Sequence, residues 1–390
     1  MLDATVAPLD ILLKPDERAA ILTDLRPALL VEASGIERLA TPAPAASPAP
    51  ALVLYTSGST GRPKGALLSH AALEVANRSW VGPIIGLRDD DVLLAALPLA
   101  HAFGLNGALL APLLAGITVR LVERFVPEAA AEIIAREPVS VVPAVATMFR
   151  RLLDVPGFAG GRRLRLGVSG AAPCPWDLAE EWRARTGTRI VRGYGSTELF
   201  RPISFLADDP TEHPECIGRA IPGVEIRIVD DAGRALPPGE VGALLVRTPA
   251  VMDGYLDGEA ETRAVLTDGW FRTGDLARVT VDGYVTIVGR ERERIKRGGY
   301  SVFPAEVETV LLAHPAVAEA AVVGVPDSAL GEEVAAFVVL RPGQPAEADE
   351  LIGWCRERLA AFKYPRRVAL VDALPRSATG KVLKARLPAS

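Results

Sequence analysis

The sequence predicts an α/β protein with three successive textures. A large region carries a sheet covered by helices, a β-rich subdomain reads as a small barrel or antiparallel sheet, and a compact α+β unit closes the chain. Three observations carry this reading. From Leu52 to Val288, short β-branched runs alternate with helical stretches. Beyond Gly218, strand-like runs are separated by Gly, Pro and Asp turns. Past Arg290 come a helix, two strands and a second helix, within about a hundred residues, near the lower common domain size.

Taken in order, residues 3–31 read as a Pro-containing turn, a helix and a strand. Residues 41–50, TPAPAASPAP, form a Pro/Ala/Ser tract that cannot hold a regular element. Strands are expected at LVLYT from Leu52, VLLAALP from Val92, TVRLVE from Thr118, VSVVPA from Val139, LRLGVSG from Leu164 and RIVRGYG from Arg189. Helices are expected between them, at PEAAAEIIAREP from Pro127 and PWDLAEEWRARTG from Pro175. The β-rich strands are VEIRIVD, GALLVRT and YVTIVGR. The last unit contributes the helix AEVETVLLAHP, the strands EAAVVGVPD and EVAAFVVL, and the helix ADELIGWCRERLAAF.

Composition excludes several classes. With 49% hydrophobic and 23% charged residues, the 390-residue chain has ample core for two or three structural units. A net charge of −5 shows no basic excess, so neither nucleic acid nor an anionic membrane surface is an expected partner. Cys174, Cys216 and Cys355 are scattered without metal-ligand spacing, which reads as reduced thiols in a cytoplasmic protein. The N-terminus lacks a basic region followed by a long apolar core, so it does not read as a signal peptide. Gly104 to Val119 is the most apolar stretch. It contains Asn106 and Pro112 and is too short to span a bilayer comfortably, so it reads as a buried helix running into a strand.

The stretch VLYTSGSTGRPKGA, residues 53–66, sets an apolar strand before a loop of glycines, hydroxyls and a lysine. Exposed backbone N–H groups, hydroxyls and an ammonium suit a polyphosphate. It is not a Walker A loop, because Lys64 follows Pro63 and precedes Gly65 instead of a Ser or Thr opening a helix. On composition alone, a phosphate loop and a solvated Gly/Ser turn stand on equal terms.

Five further motifs follow it in order: PLAHAFGL from Pro98, GYGSTE from Gly193, GWFRTGD from Gly269, GRERERIKRGGYSVFPAEVE from Gly289 and LPRSATGK from Leu374. With TSGSTGRPKG from Thr56, this series resembles the adenylate-forming superfamily, in its acyl-CoA synthetase (AMP-dependent ligase) branch, over nearly the whole chain. The resemblance implies a large N-terminal α/β domain with layered sheets over residues 1–291, with its β-rich subdomain at about 218–291. It also implies a small mobile C-terminal domain over residues 292–390.

The resemblance assigns roles that the side chains can physically fill. Thr56, Ser57, Gly58, Ser59, Thr60, Gly61 and Lys64 would close over the phosphates of ATP. Tyr194 would stack on adenine, Thr197 would lie by the α-phosphate, and Glu198 would ligate Mg²⁺ through its hard carboxylate oxygens. Gly195 and Ser196 complete that motif; relatives usually carry methionine where Ser196 stands, a departure that bears on acid-pocket shape. Gly170, Ala171, Ala172 and Pro173 would lie along the adenine edge. Asp275 would accept from the ribose hydroxyls, with Arg290 beside it and Lys296 near the adenylate phosphate. Lys381, charged at neutral pH, would bridge the acid carboxylate and the α-phosphate. His101 would gate the junction of acid pocket and thiol tunnel.

The acid pocket would draw on His101, Ala102, Phe103, Ala146, Thr147, Gly170, Ala171, Gly193, Gly195 and Phe200. These are mostly small or apolar, which favours an aryl or aliphatic acid. Arg192 and Arg201 flank GYGSTE; a dicarboxylate could recruit one of them, though both read first as surface charges. Gly298 and Gly299 would line the tunnel for the pantetheine arm of CoA, and Arg292, where relatives carry Asp or Lys, would be the hinge between two half-reactions. The expected chemistry is ATP-dependent formation of an acyl-adenylate, then thioester formation with CoA. A carrier-protein thiol, a non-thiol acceptor, and a nucleotide-binding scaffold without turnover are the alternatives. Residues 3–31 resemble a stretch from inside the family's opening segment, so the domain is expected to be short there, either with a partner or a homodimer covering the gap or as an unusual short form.

Overall fold

The strand-helix alternation of the sequence becomes a parallel sheet in the computed structural model, which describes residues 4–11, 13–39, 50–56, 63–207, 209, 213–376 and 382–387. The chain divides into two compact units. The first comprises Met1–Arg227, Leu245–Arg272 and Val279–Thr286; the second comprises Ile228–Leu244, Thr273–Arg278 and Ile287–Ser390.

At the centre of the first unit five strands lie in the order Thr118–Leu121, Val92–Ala95, Val141–Ala144, Leu166–Ser169 and Arg189–Val191, every neighbouring pair parallel. Their near-continuous apolar runs are what a parallel sheet covered on both faces demands. Val141–Ala144 and Leu166–Ser169 are buried at every position. The period of two divides the side chains between two cores. Leu93 and Val141 join Trp80, Ile84 and Phe205 in one, while Leu94 and Val142 join Ile134, Phe149 and Trp182 in the other. The helices Pro127–Arg136, Ala146–Leu153 and Trp176–Thr186 supply the second core.

The apolar stretch after Gly104 is a buried helix that runs into a strand, but its first part winds differently from the expectation. Phe103–Leu110 is π-helical, continues as the α-helix Ala111–Ala115, and ends at Gly116 before the strand Thr118–Leu121. A second π-helical turn, Trp80–Ile84, packs near it. Close backbone approach explains the glycines: a Cβ on Gly104 would stand 2.1 Å from the Pro98 carbonyl oxygen, and one on Gly107 would stand 2.7 Å from the Trp80 ring. Wide π turns of this kind recur at functional sites.

Two small antiparallel sheets complete this unit's functional face. Leu52–Thr56 and Lys64–Leu68 form a hairpin extended by Gly254–Tyr255. Gly193–Ser196 and Phe200–Ser204 form another, joined by Arg219–Ala220. The helix Pro15–Leu25 and the hairpin Leu29–Glu32/Gly35–Arg38 precede them. The Pro/Ala tract at 41–49 lies outside the described residues.

The β-rich strands expected beyond Gly218 form one sheet, in the order Glu225–Val229, Gly242–Arg247, Trp270–Val279 and Leu266–Thr267, with Val285–Arg290 pairing Trp270–Val279. In the second unit, Tyr300–Val302, Ile295–Arg297, Gly331–Leu340 and Val317–Asp327 follow one another, and Arg367–Leu370 runs parallel to Gly331–Leu340. Helices Pro304–Leu312 and Ala348–Arg358 cover it around Val307, Leu311, Leu351 and Cys355. The α/β and α+β classes are therefore both present. Among the described residues no helix is long and apolar enough to cross a membrane.

Candidate active site

The phosphate-loop candidate falls between two paired antiparallel strands, Leu52–Thr56 and Lys64–Leu68. Thr56 and Lys64 are paired in register as their last two described partners, and residues 57–62 between them lie outside the described residues. Ser57, Gly58, Ser59, Thr60 and Gly61 fall within that stretch. Lys64 opens a strand and not the helix that follows a Walker A loop, in agreement with its position between Pro63 and Gly65.

GYGSTE forms the first strand and turn of a second hairpin. Tyr194, Gly195 and Ser196 lie on the strand, and Thr197 and Glu198 occupy the turn, half-buried. The turn requires Gly195, because a Cβ there would sit 1.7 Å from the Phe200 carbonyl oxygen. Phe200 closes the turn with φ +55°, in the left-handed region where a bulky residue is strained. Ala171 of SGAAP has φ +64°, a second strained position, and Ala171, Ala172 and Pro173 are exposed after the buried Gly170. Strain held by surrounding structure is concentrated at functional sites.

A residue absent from the sequence reading joins these two hairpins. The Tyr255 hydroxyl donates to Glu198 Oε1 at 2.9 Å, and Lys64 Nζ lies 5.2 Å from the centroid of the Tyr255 ring. Tyr255 is carried by a two-residue strand paired with Ala66, two positions after Lys64. Burial and the Glu198 carboxylate hold its hydroxyl above the ordinary tyrosine value, so it remains a donor. The GY dipeptide in VMDGYL was the only sequence trace of it, 57 residues away from Glu198.

Among the described residues no three His, Cys, Asp or Glu side chains gather as a metal cluster. A half-buried carboxylate steered by one hydrogen bond still fits Mg²⁺, which is commonly held by one or two carboxylates together with substrate phosphates.

His101 pairs with a carboxylate from far earlier in the chain: Nε2 stands 3.2 Å from Asp10 Oδ2, with the imidazole 43% exposed. It is not packed away in the apolar core. Ala102 and Phe103 are half-buried at the start of the π-helical segment, and Phe103 stacks on Trp80 at 5.7 Å. Ala146 packs with the opposite core beside Phe149, and Thr147 is exposed.

The reading of Arg192 and Arg201 as surface charges is overturned. Their exposures are 4% and 6%. Arg192 donates to the Pro214 and His213 carbonyls and lies over the Trp176 and Phe205 rings. Arg201 donates from Nε to Ser204 Oγ at 3.0 Å, from Nη1 to the Ser169 carbonyl at 2.8 Å and from Nη2 to the Val191 carbonyl at 3.1 Å. Burial pushes the Arg201 guanidinium down to about 9, still cationic at neutral pH. The hairpin and the parallel strands meet here, so a residue three positions past Glu198 points inward.

The second unit holds its own set. Asp275 is buried, 3% exposed, and Arg290 Nε contacts its Oδ1 at 2.7 Å. Thr273 Oγ1, which donates to the Leu244 carbonyl, accepts from the Asp275 N–H and fixes that turn. Thus the two ribose candidates are adjacent. Lys296 is exposed on the strand Ile295–Arg297, and its N–H donates to Glu332 Oε2. Gly298 and Gly299, with φ +54° and +83°, form the two-residue loop between Arg297 and Tyr300, where only glycine adopts both angles easily. Arg292 is exposed in the short turn Glu291–Glu293. Lys381 lies outside the described residues.

The AMP-binding enzyme family model matches residues 32–256, and the model of the AMP-binding enzyme C-terminal domain matches residues 306–381. A feruloyl-CoA synthase from Amycolatopsis sp is 40% identical over 342 residues, covering 85% of this chain and 68% of the relative. Among solved structures, o-succinylbenzoate coenzyme A synthetase (MenE) from Bacillus subtilis, in complex with ATP and magnesium ion, matches with a TM-score of 0.86 at 33% identity, over 97% of this chain and 83% of its own. ATP-bound MatB from Rhodopseudomonas palustris matches with a TM-score of 0.81 at 37% identity, over 90% and 70%.

Proposed function

The chain belongs to the AMP-binding enzyme family, and from that premise we propose that it activates a carboxylic acid with ATP and transfers the acyl group to CoA as an AMP-forming acid–thiol ligase. In the first step an acid carboxylate oxygen attacks the α-phosphorus in line, and the bond to pyrophosphate breaks. In the second the CoA sulfur attacks the acyl carbon, the bond to AMP oxygen breaks, and the thiol proton is lost. The supporting observation is the junction at Tyr255, which ties Lys64 of the glycine-rich hairpin to the carboxylate of Glu198.

Within this reading, Thr56, Lys64 and the loop between them hold the departing pyrophosphate, and Glu198 holds Mg²⁺, which supplies charge neutralisation at the phosphates when bound. Tyr194, Thr197 and the Gly170–Pro173 segment hold the adenylate, Asp275 with Arg290 takes the ribose, and Lys381 balances charge between carboxylate and α-phosphate. His101 positions groups between acid and thiol, Gly298 and Gly299 line the thiol path, and Lys296 reaches the adenylate phosphate. Arg292 is the hinge between an adenylate-forming domain, residues 1–291, and a mobile domain, residues 292–390. A carrier-protein pantetheine arm is the competing acceptor, and a homodimer the competing assembly. All three cysteines are thiols, which accords with a cytoplasmic setting.

The test is acid-dependent ATP–pyrophosphate exchange over a panel of carboxylic acids, followed by AMP release with and without CoA. Exchange with some acid and CoA-dependent AMP release are expected. Folded protein without exchange for any acid sinks the activation reading, and exchange without CoA-dependent release removes CoA as acceptor.

A further inference from the structure

Arg201 presents a physical problem. Its guanidinium is buried, and its neighbours are two carbonyls and a hydroxyl, none of them anionic. A buried cation ordinarily has a carboxylate beside it, because removal from water costs several kcal/mol that neutral dipoles offset poorly. Three of the five guanidinium N–H groups are accounted for by those bonds; two remain. Two partly buried arginines elsewhere do meet carboxylates: Arg165 meets Asp91, and Arg297 meets Glu333.

The surroundings repeat the same imbalance. Trp80, whose ring lies 5.2 Å from the Arg201 guanidinium carbon, has a buried Nε1–H without a partner among the described residues. So has the Oγ of Ser169, the residue whose carbonyl receives Arg201 Nη1. Buried polar groups in native proteins are almost always satisfied, so a cluster of spare donors around an unneutralised cation signals an absent acceptor.

The place is also specific. A Cβ on Gly193 would stand 2.5 Å from Arg201 Cζ, and one on Gly170 would stand 2.9 Å from Nη1 and 3.3 Å from the Phe103 ring. Glycine at both positions is what allows the guanidinium to lie there. Phe103, Gly170 and Gly193 are among the acid-pocket candidates, so the guanidinium borders that predicted pocket. A separate small pocket, lined by Ser79, Trp80, Phe200, Arg201, Pro202 and Thr248, touches Arg201 and Trp80.

We propose that Arg201 is the specificity-determining residue of the acid pocket and that the substrate is a dicarboxylic acid: one carboxylate is adenylated while the other docks on Arg201, with Trp80 and Ser169 as supporting donors. A carboxylate supplies the acceptor geometry and the charge that this site lacks. The proposal rests on the acid-activating function above and deepens it. A site built to bond a polar group rejects the analogue lacking that group far more strongly than an apolar pocket rejects a change in length.

The test compares α,ω-dicarboxylates from malonate to adipate with monocarboxylates of equal carbon number, in ATP–pyrophosphate exchange by the full chain. One dicarboxylate should exceed its monocarboxylate roughly 100-fold in kcat/KM, the loss expected for a charged hydrogen-bonded pair. Arg201→Met should abolish that preference while leaving the KM for ATP within about threefold, and Arg201→Lys should restore part of it. A wild-type preference for monocarboxylates, or a dicarboxylate preference that survives Arg201→Met, overturns the proposal. Calorimetric titration of the same dicarboxylates into the ATP-free wild type and Arg201→Lys separates this failure from failure of the activity. If no acid supports exchange, dicarboxylate binding weakened in the variant still supports Arg201 as the receptor, and equal or absent binding refutes it.

Discussion

Tyr255→Phe isolates the contact that joins the two hairpins. The substitution removes one hydroxyl and nothing else: the ring stays beneath Lys64 Nζ, and the backbone pairing with Ala66 is unchanged. What disappears is the 2.9 Å bond into Glu198 Oε1. A hydrogen bond to a charged group contributes about 1.5–3 kcal/mol, and the half-buried position of both partners places this one near the lower figure. At about 1.5 kcal/mol, the factor is roughly tenfold in any equilibrium that requires Glu198 in its present orientation. The assay is pyrophosphate exchange at saturating ATP and acid with Mg²⁺ varied. Half-saturation by Mg²⁺ should rise about tenfold, with thermal stability changed by no more than about 2 °C, because a half-buried hydroxyl contributes little to packing. An unchanged Mg²⁺ dependence refutes the positioning role. A large fall in melting temperature would show instead that the hydroxyl serves the fold.

Three further outcomes follow from named contacts. Gly195→Ala drives a methyl group to within 1.7 Å of the Phe200 carbonyl oxygen, so the GYGSTE hairpin must distort; exchange activity should fall at least about 100-fold, with about 1–3 kcal/mol of stability lost in denaturant titration. Asp275→Asn removes the negative partner of Arg290, and the KM for ATP should rise roughly tenfold with a smaller change in kcat, read from initial rates. In the second unit, burial opposes ionisation of Glu333, but the two bonds from Arg297 and the Val334 N–H outweigh it and hold the carboxyl below its ordinary value. Its stabilisation is therefore complete above about pH 4.3, the unperturbed glutamate value, and is lost as pH falls through the lower folded-state value. Glu333→Gln should flatten that acid limb and cost about 2–3 kcal/mol by leaving the largely buried Arg297 without its counter-charge, measured by denaturant titration across pH.

Local pattern carried much of the fold. Val92–Ala95, Val141–Ala144 and Leu166–Ser169 are legible because a strand buried on both faces must be apolar at successive positions. The helices Pro127–Arg136 and Trp176–Thr186 are legible from their length and their proline-marked starts. The π winding of Phe103–Leu110 was not, since an apolar run with two glycines looks the same whether it closes α or π hydrogen bonds. That choice follows from Gly104 against Pro98 and Gly107 against Trp80, contacts between separate segments.

The candidate site divides in the same way. Motif order by itself determined the chemistry to expect, because the loop ending in Lys64, the Tyr194–Glu198 turn and the Asp275 turn are short segments whose donors and acceptors travel together in sequence. Tertiary structure alone decided which distant groups complete them. Tyr255 reaches Glu198 because its strand is paired to the hairpin of Lys64, and Asp10 reaches His101 across 91 positions. An arginine beside a polar motif reads as solvated until the packing is known. Arg201 turned out buried because two glycines vacate the space its guanidinium fills. A side chain's charge is written in the sequence, but the dielectric around it is set by residues folded against it from elsewhere in the chain.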